Sequence, residues 1–212
     1  MKLYGYWRSS AAYRVRIALH LKDIDFESIP VHLVKNGGEQ HQSEYIALNP
    51  HQLVPTLVDG ELVLNQSLAI LDYIDAKYPN QALYPSDMLE RALVQSLALD
   101  VACEIHPVNN LRVQQYLVDE LGVSDAQKLA WSHHWMAKGF AAIEEKITKT
   151  AGQYCFGDVV TIADICLVPQ VYNAKRFNLD MSAYPTIERV VQACNQLPAF
   201  IRALPENQAD AQ

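Results

Sequence analysis

Strand signals stop early in this chain, and that limits its fold more than any other feature. Short apolar runs bounded by turn residues predict strands over residues 2–6, 24–31, 56–58 and 62–64. The last two are joined through Asp59-Gly60, a strong hairpin signal. Pro30 confines the second strand to a sheet edge or a bulge, because proline has no N–H to give a ladder. Between the strands lie a helix carrying Val15, Ala18 and Leu19, a short polar helix over 42–46, and a helix carrying Ile70, Leu71 and Ile74 that stops before Pro79. Residues 80–85 are aperiodic and read as a linker. Beyond them only helical periods remain. Asp87-x-x-Glu90 resembles a capping box for a long helix to residue 120, kinked or broken at Pro107. Ser124-x-x-Gln127 opens another, to residue 150, and Thr161-Ile-Ala-Asp164 a third. Pro185 and Pro198 punctuate the last two. The chain therefore divides into an α/β domain, residues 1–82, built on a four-stranded mixed sheet, and an all-α domain, residues 87–212.

Composition removes several functional classes. A net charge of −7 argues against a nucleic-acid partner, whose footprint is basic. No run approaches the roughly eighteen apolar residues of a membrane span, and the first residues lack a signal peptide's apolar core. Cys103, Cys155, Cys166 and Cys194 are too irregularly spaced for a zinc site or a dithiol motif, and read as reduced, buried, inert thiols of a cytoplasmic protein. His133 and His134 are adjacent, so they face different ways on a helix and make no i, i+4 metal pair. No metal is expected. Any thiol chemistry must use a sulfur from outside the chain.

The stretch from Tyr4 to Leu19 carries the chemistry. An apolar strand runs through Trp7-Arg8-Ser9-Ser10 into a helix, which places hydroxyls and a guanidinium at a positive helix N-terminus. Such a place suits an anion, and without a glycine-rich phosphate loop a thiolate is the better candidate. Taken alone, the serines are explained more simply by an ordinary capped helix. A capped helix explains Gln66-Ser67 before the third helix equally well, and Pro55 alone reads as a trans proline at a strand entry.

Taken in order, several motifs resemble one family. They are Arg8-Ser-Ser-x-x-x-Arg-Val-Arg-Ile-Ala-Leu19, Asn49-Pro-x-x-x-Val-Pro-Thr-Leu57, Gln66-Ser67-x-Ala-Ile70, Phe156-Gly-Asp-x-x-Thr-Ile-Ala-Asp164, Leu167-Val-Pro-Gln170 and Asn173-Ala-x-Arg-Phe177. Together they are similar to the cytosolic glutathione S-transferases, most of all to the zeta class of maleylacetoacetate and maleylpyruvate isomerases. The resemblance implies an α+β protein: a thioredoxin-like α/β domain, then an all-α domain, in a homodimer with glutathione as cofactor. It implies a cis Pro55 that turns the Val54 backbone outward at the sheet edge to pair with glutathione. It places Gln66 and Ser67 at the γ-glutamyl carboxylate, and Gln40, Gln52, His106, Asn110 and Arg112 among the glutathione contacts. Ser9, supported by Ser10, would hold the thiolate, and Arg8 and Arg176 would receive the carboxylates of a dicarboxylate substrate. Thr161 and Asp164 read as structural capping residues.

The chain departs from the zeta pattern at Ala11, where cysteine is common, and at Tyr13, where tryptophan is usual. Leu111 stands where gentisate-pathway maleylpyruvate isomerases tend to carry arginine. The expected reaction is therefore maleylacetoacetate to fumarylacetoacetate, in tyrosine breakdown. The alternatives are maleylpyruvate isomerisation, a conjugating transferase or dehalogenase, and a non-catalytic glutathione-binding protein.

Overall fold

A computed structural model describes residues 1–212 as two compact units, Met1–Leu83 with Gln196–Gln212, and Tyr84–Asn195. The first unit opens with β1 (Lys2–Gly5), α1 (Ser10–Leu21), β2 (Glu27–Pro30), α2 (Ser43–Leu48), β3 (Thr56–Asp59), β4 (Leu62–Asn65) and α3 (Ser67–Lys77). Its sheet runs β2-β1-β3-β4, with β1 parallel to β2 and antiparallel to β3, and β3 antiparallel to β4. β2 is an edge strand, so the missing N–H of Pro30 costs no inner ladder bond. Leu3 pairs with Leu57 across the sheet. Both pack with Val15 and Leu19 of α1 and Ile70 and Ile74 of α3 in one core. Each such side chain contributes about 1.5–3 kcal/mol on burial, so packing holds both helices against the sheet.

The second unit holds α4 (Met88–Leu99), α5 (Leu111–Asp119), α6 (Asp125–Ile147), α7 (Ile162–Arg176) and α8 (Pro185–Cys194). The helix predicted over 87–120 is broken around Pro107, one of the two outcomes expected there. α4 passes into a π-helical segment, Asp100–Ile105, then a 3-10 turn over Pro107–Asn109, and α5 starts afresh. Pro107 cannot continue the α ladder, and Asn110 restarts it by accepting the Arg112 N–H on its side chain at 3.2 Å. α7 is buried on every face from Ile162 to Val171. Its capping box is complete. The wholly buried Asp164 accepts the N–H of Thr161 at 2.9 Å, that of Cys155 at 2.8 Å and the Thr161 hydroxyl at 3.1 Å. Burial pushes the Asp164 carboxyl and the Cys155 thiol above their ordinary values. Cys166 and Cys194 are buried too, but Cys103 is exposed, against the expectation for all four. It lies within the π segment, which turns it out of the core.

Residues 196–212 also depart from the predicted domain division. α9 (Pro198–Ala203) buries Ala199, Phe200 and Ala203 and packs on α1 in the first unit. The buried Arg16 of α1 donates Nε to the Ala203 carbonyl at 3.1 Å. The α/β unit is thus closed by the far end of the chain. No helix is long and apolar enough to cross a membrane.

Candidate functional site

Ser9 occupies the N-cap of α1 with extended φ −70° and ψ 115°, and its Oγ accepts the Ala12 N–H at 3.2 Å. That bond uses an oxygen lone pair and leaves the hydroxyl proton to donate elsewhere. Ser10, the first helical residue, is buried, whereas Ser9 is half-buried. Arg8 is exposed, and its guanidinium carbon lies 4.0 Å from the centroid of the Trp7 ring. That stacking holds the fork in place without using its N–H donors.

The Val54–Pro55 peptide is cis. Val54 sits beyond the last β1–β3 rung, Tyr4 with Thr56. It therefore lies at the end of an internal strand, because β4 covers the other side of β3. The carbonyl of Leu53 accepts from the Tyr45 hydroxyl at 2.6 Å and from Asn49 Nδ2 at 2.7 Å, which fixes the approach to this peptide. Burial holds the Tyr45 phenol above its ordinary value, so it remains a donor.

At α3 the cap differs from the simple N-cap serine. Gln66 is the N-cap, at φ +72° and with no side-chain cap bond, and Ser67 is the first helical residue. Gln66 therefore bends the chain through the left-handed region and leaves its amide for other partners. Ser67 is buried and accepts a hydrogen bond from Arg14 Nη1 at 3.1 Å. Gln40, also buried, donates Nε2 to the Leu33 carbonyl at 3.2 Å. That Nε2 lies 3.0 Å from His41 Nε2, so the imidazole nitrogen accepts, and Nδ1–H donates to Gln52 Oε1 at 2.5 Å. Gln40 and Gln52 are therefore linked through His41. Gln40 Oε1 is buried without a partner, an orphaned acceptor of the kind a bound polar ligand satisfies.

Ser9, Ser10, Arg8, Gln40, Gln52, Val54, Pro55, Gln66 and Ser67 all belong to the first unit. His106, Asn110, Arg112 and Arg176 belong to the second. There His106 ends the π segment, Asn110 caps α5, and Arg112 is exposed in its first turn. Arg176 is exposed in the last turn of α7, donates Nη2 to Asn173 Oδ1 at 3.1 Å, and packs 4.6 Å from the Phe177 ring centroid. His133 Nε2 donates to the Phe177 carbonyl at 2.7 Å, a packing role. Two residues escaped sequence reasoning. Arg14 stood with Arg16 among the apolar residues of α1, the one visible signal; His41 offered none.

These features define a class. The model of the glutathione S-transferase N-terminal domain matches residues 1–76, and that of the glutathione S-transferase C-terminal domain matches residues 125–198. The chain belongs to the glutathione S-transferase family. It is 57% identical over 209 residues to a probable maleylacetoacetate isomerase of Vibrio cholerae, covering 99% of this chain and 97% of that protein. Among solved structures it is 45% identical to a holo maleyl pyruvate isomerase described as a bacterial zeta-class glutathione S-transferase, with a TM-score of 0.97 over 100% of both chains. A maleylacetoacetate isomerase of Methylobacterium extorquens AM1, solved with malonate and glutathione, is 38% identical with a TM-score of 0.96, again over 100% of both chains.

Proposed function

We propose that this chain is a glutathione-dependent cis–trans isomerase converting maleylacetoacetate to fumarylacetoacetate. The observation that carries the reading is Ser9: it caps α1 with its oxygen and keeps its proton for an anion at the helix N-terminus. Bound glutathione would supply the nucleophile, a thiolate that adds reversibly to the cis double bond, frees rotation, and leaves again once the bond is trans. The chain's residues do the rest. Ser9 donates its O–H to the sulfur and holds it ionised, with the α1 dipole lowering the thiol's proton affinity. Ser10, which the family pattern adds to this role, is buried.

The amides of Gln40 and Gln52 and the backbone of Val54 suit the peptide part of glutathione, and the orphaned Gln40 Oε1 fits such a ligand. Gln66 and Ser67 at the start of α3 suit its γ-glutamyl carboxylate. We extend the glutathione contacts to His106, Asn110 and Arg112 on the family pattern. Arg8 and Arg176 take the substrate carboxylates and the oxyanion charge that develops beside them, work for which guanidinium forks are suited.

A homodimer is the assembly we propose. Met88, Leu89 and Leu93 stand exposed on α4, and Leu62 and Val63 on β4, apolar surface that a second copy would cover. The four free cysteines support a cytoplasmic protein. With maleylacetoacetate as substrate, its place is tyrosine breakdown.

Maleylpyruvate is the second reading, favoured by the full-length likeness to the maleyl pyruvate isomerase structure. Leu111 favours maleylacetoacetate. Spectrophotometric assays with each acid, with and without glutathione, decide between them. Faster glutathione-dependent conversion of maleylacetoacetate is the expected result. Faster conversion of maleylpyruvate would move the protein to the gentisate route, and conversion of neither would leave a transferase or a binding protein.

A further inference from the structure

We infer that Asp210 is a positioning residue for the thiolate site. The turn from Tyr6 to Ser9, closed by the Ser9 N–H to the Tyr6 carbonyl at 2.9 Å, carries Arg8 and delivers Ser9 to the N-cap. Its second residue, Trp7, is gripped on both sides of its backbone. The Trp7 N–H donates to Asp210 Oδ2 at 3.1 Å, and the Trp7 carbonyl accepts from Arg16 Nη2 at 2.9 Å. Through Nε the same guanidinium holds the Ala203 carbonyl, so both grips lead to the segment that follows α8. Arg16 is 3% exposed and Trp7 5%, so water competes little for the Arg16 bonds; Asp210 is half-buried, and its bond to Trp7 is partly shielded. The indole in turn supports the Arg8 guanidinium at 4.0 Å and meets the Tyr6 ring edge-on at 6.0 Å.

A turn between a strand and a helix has little of its own to fix it. Here the angle at which Ser9 enters α1, and the platform under Arg8, are set by a residue 203 positions away in the chain. The charge of Asp210 does not explain its presence, because a nearby carboxylate opposes the ionisation of a thiol. Its hydrogen bond does.

The inference rests on the reading of Ser9 as the group that holds the thiolate. The test compares wild type, Asp210→Ala, Asp210→Asn and Ser9→Ala. Three quantities are measured: turnover of maleylacetoacetate, the ultraviolet titration of the thiolate of bound glutathione, and the melting temperature. In Asp210→Ala turnover should fall about tenfold, the scale of a small misplacement at a reacting centre, and the thiolate should titrate at higher pH. Asp210→Asn keeps an acceptor for the Trp7 N–H and should restore both. Wild-type behaviour of Asp210→Ala would overturn the proposal. So would a thiolate that titrates at lower pH in both Asp210 variants, since that is the signature of charge alone. Equal losses in the two variants with equal falls in melting temperature would reduce Asp210 to a structural residue. If Ser9→Ala titrates like wild type, the underlying thiolate reading fails and the proposal falls with it.

Discussion

Arg14 Nη1 donates to Ser67 Oγ at 3.1 Å, so a guanidinium carried by α1 sets the hydroxyl at the start of α3. Arg14 is 2% exposed and Ser67 6%, and α1 and α3 share the core that backs the sheet. The two helix starts, one at Ser9 and one at Ser67, are thereby held in one frame. Arg14→Met keeps an unbranched apolar stem and removes the donor. Loss of a hydrogen bond to a charged group costs about 1.5–3 kcal/mol, so the KM for glutathione should rise at least tenfold, with turnover at saturating glutathione changed much less. A fall in turnover as large as the rise in KM would indicate damage to the fold instead.

Ser9→Ala removes the hydroxyl that caps α1 and faces the proposed thiolate. Loss of one stabilising donor lowers turnover about 10- to 1000-fold, while the lost cap costs about 1 kcal/mol of stability. Steady-state kinetics and chemical denaturation on the same preparation separate the two effects. Full activity in Ser9→Ala would pass the role to Ser10 or to backbone N–H groups.

Gly139 lies in α6, where helix propensity alone favours alanine by about 1 kcal/mol. A Cβ there would overlap Cγ1 and Cδ1 of Ile105, in the π-helical segment. Overpacking of this kind costs about 1–3 kcal/mol, so the clash outweighs the propensity. Gly139→Ala should lower the melting temperature; a rise would show that Ile105 moves aside freely.

His20, in the last turn of α1, has a proton affinity pushed below its ordinary value of 6.5, first by burial and then by the charges of Arg202 and Arg16. The folded protein therefore prefers the neutral ring. Its contribution to stability is present above pH 6.5 and is lost as the pH falls below that value through the folded-state value. Denaturant midpoints measured from pH 8 to pH 5 (about the span of this titration) should decline more steeply for wild type than for His20→Gln. Parallel curves would remove His20 from the acid response.

The parts of the fold that could be read from the chain are those written locally. The Asp59-Gly60 hairpin, the Ser9 cap and the Thr161–Asp164 box are each closed within a few residues. What could not be read depends on distant packing. α9 reads as one more short helix until Phe200 and Ala203 find α1. Pro107 marks a break, but nothing in its neighbours announces a π segment before it. In the site, Ser9 is legible because a cap and an anion-binding position use the same residue types. Arg14 and His41 are not, because their work lies in orienting other side chains: Ser67 for the first, Gln40 and Gln52 for the second.

An isomerase returns its glutathione, whereas a conjugating transferase consumes it. Maleylacetoacetate supplied in large excess over glutathione should be converted fully to the trans isomer, with the free thiol unchanged at the end. Conversion that stops when one glutathione has been spent per substrate molecule would contradict the isomerase reading and make the protein a transferase on the same fold.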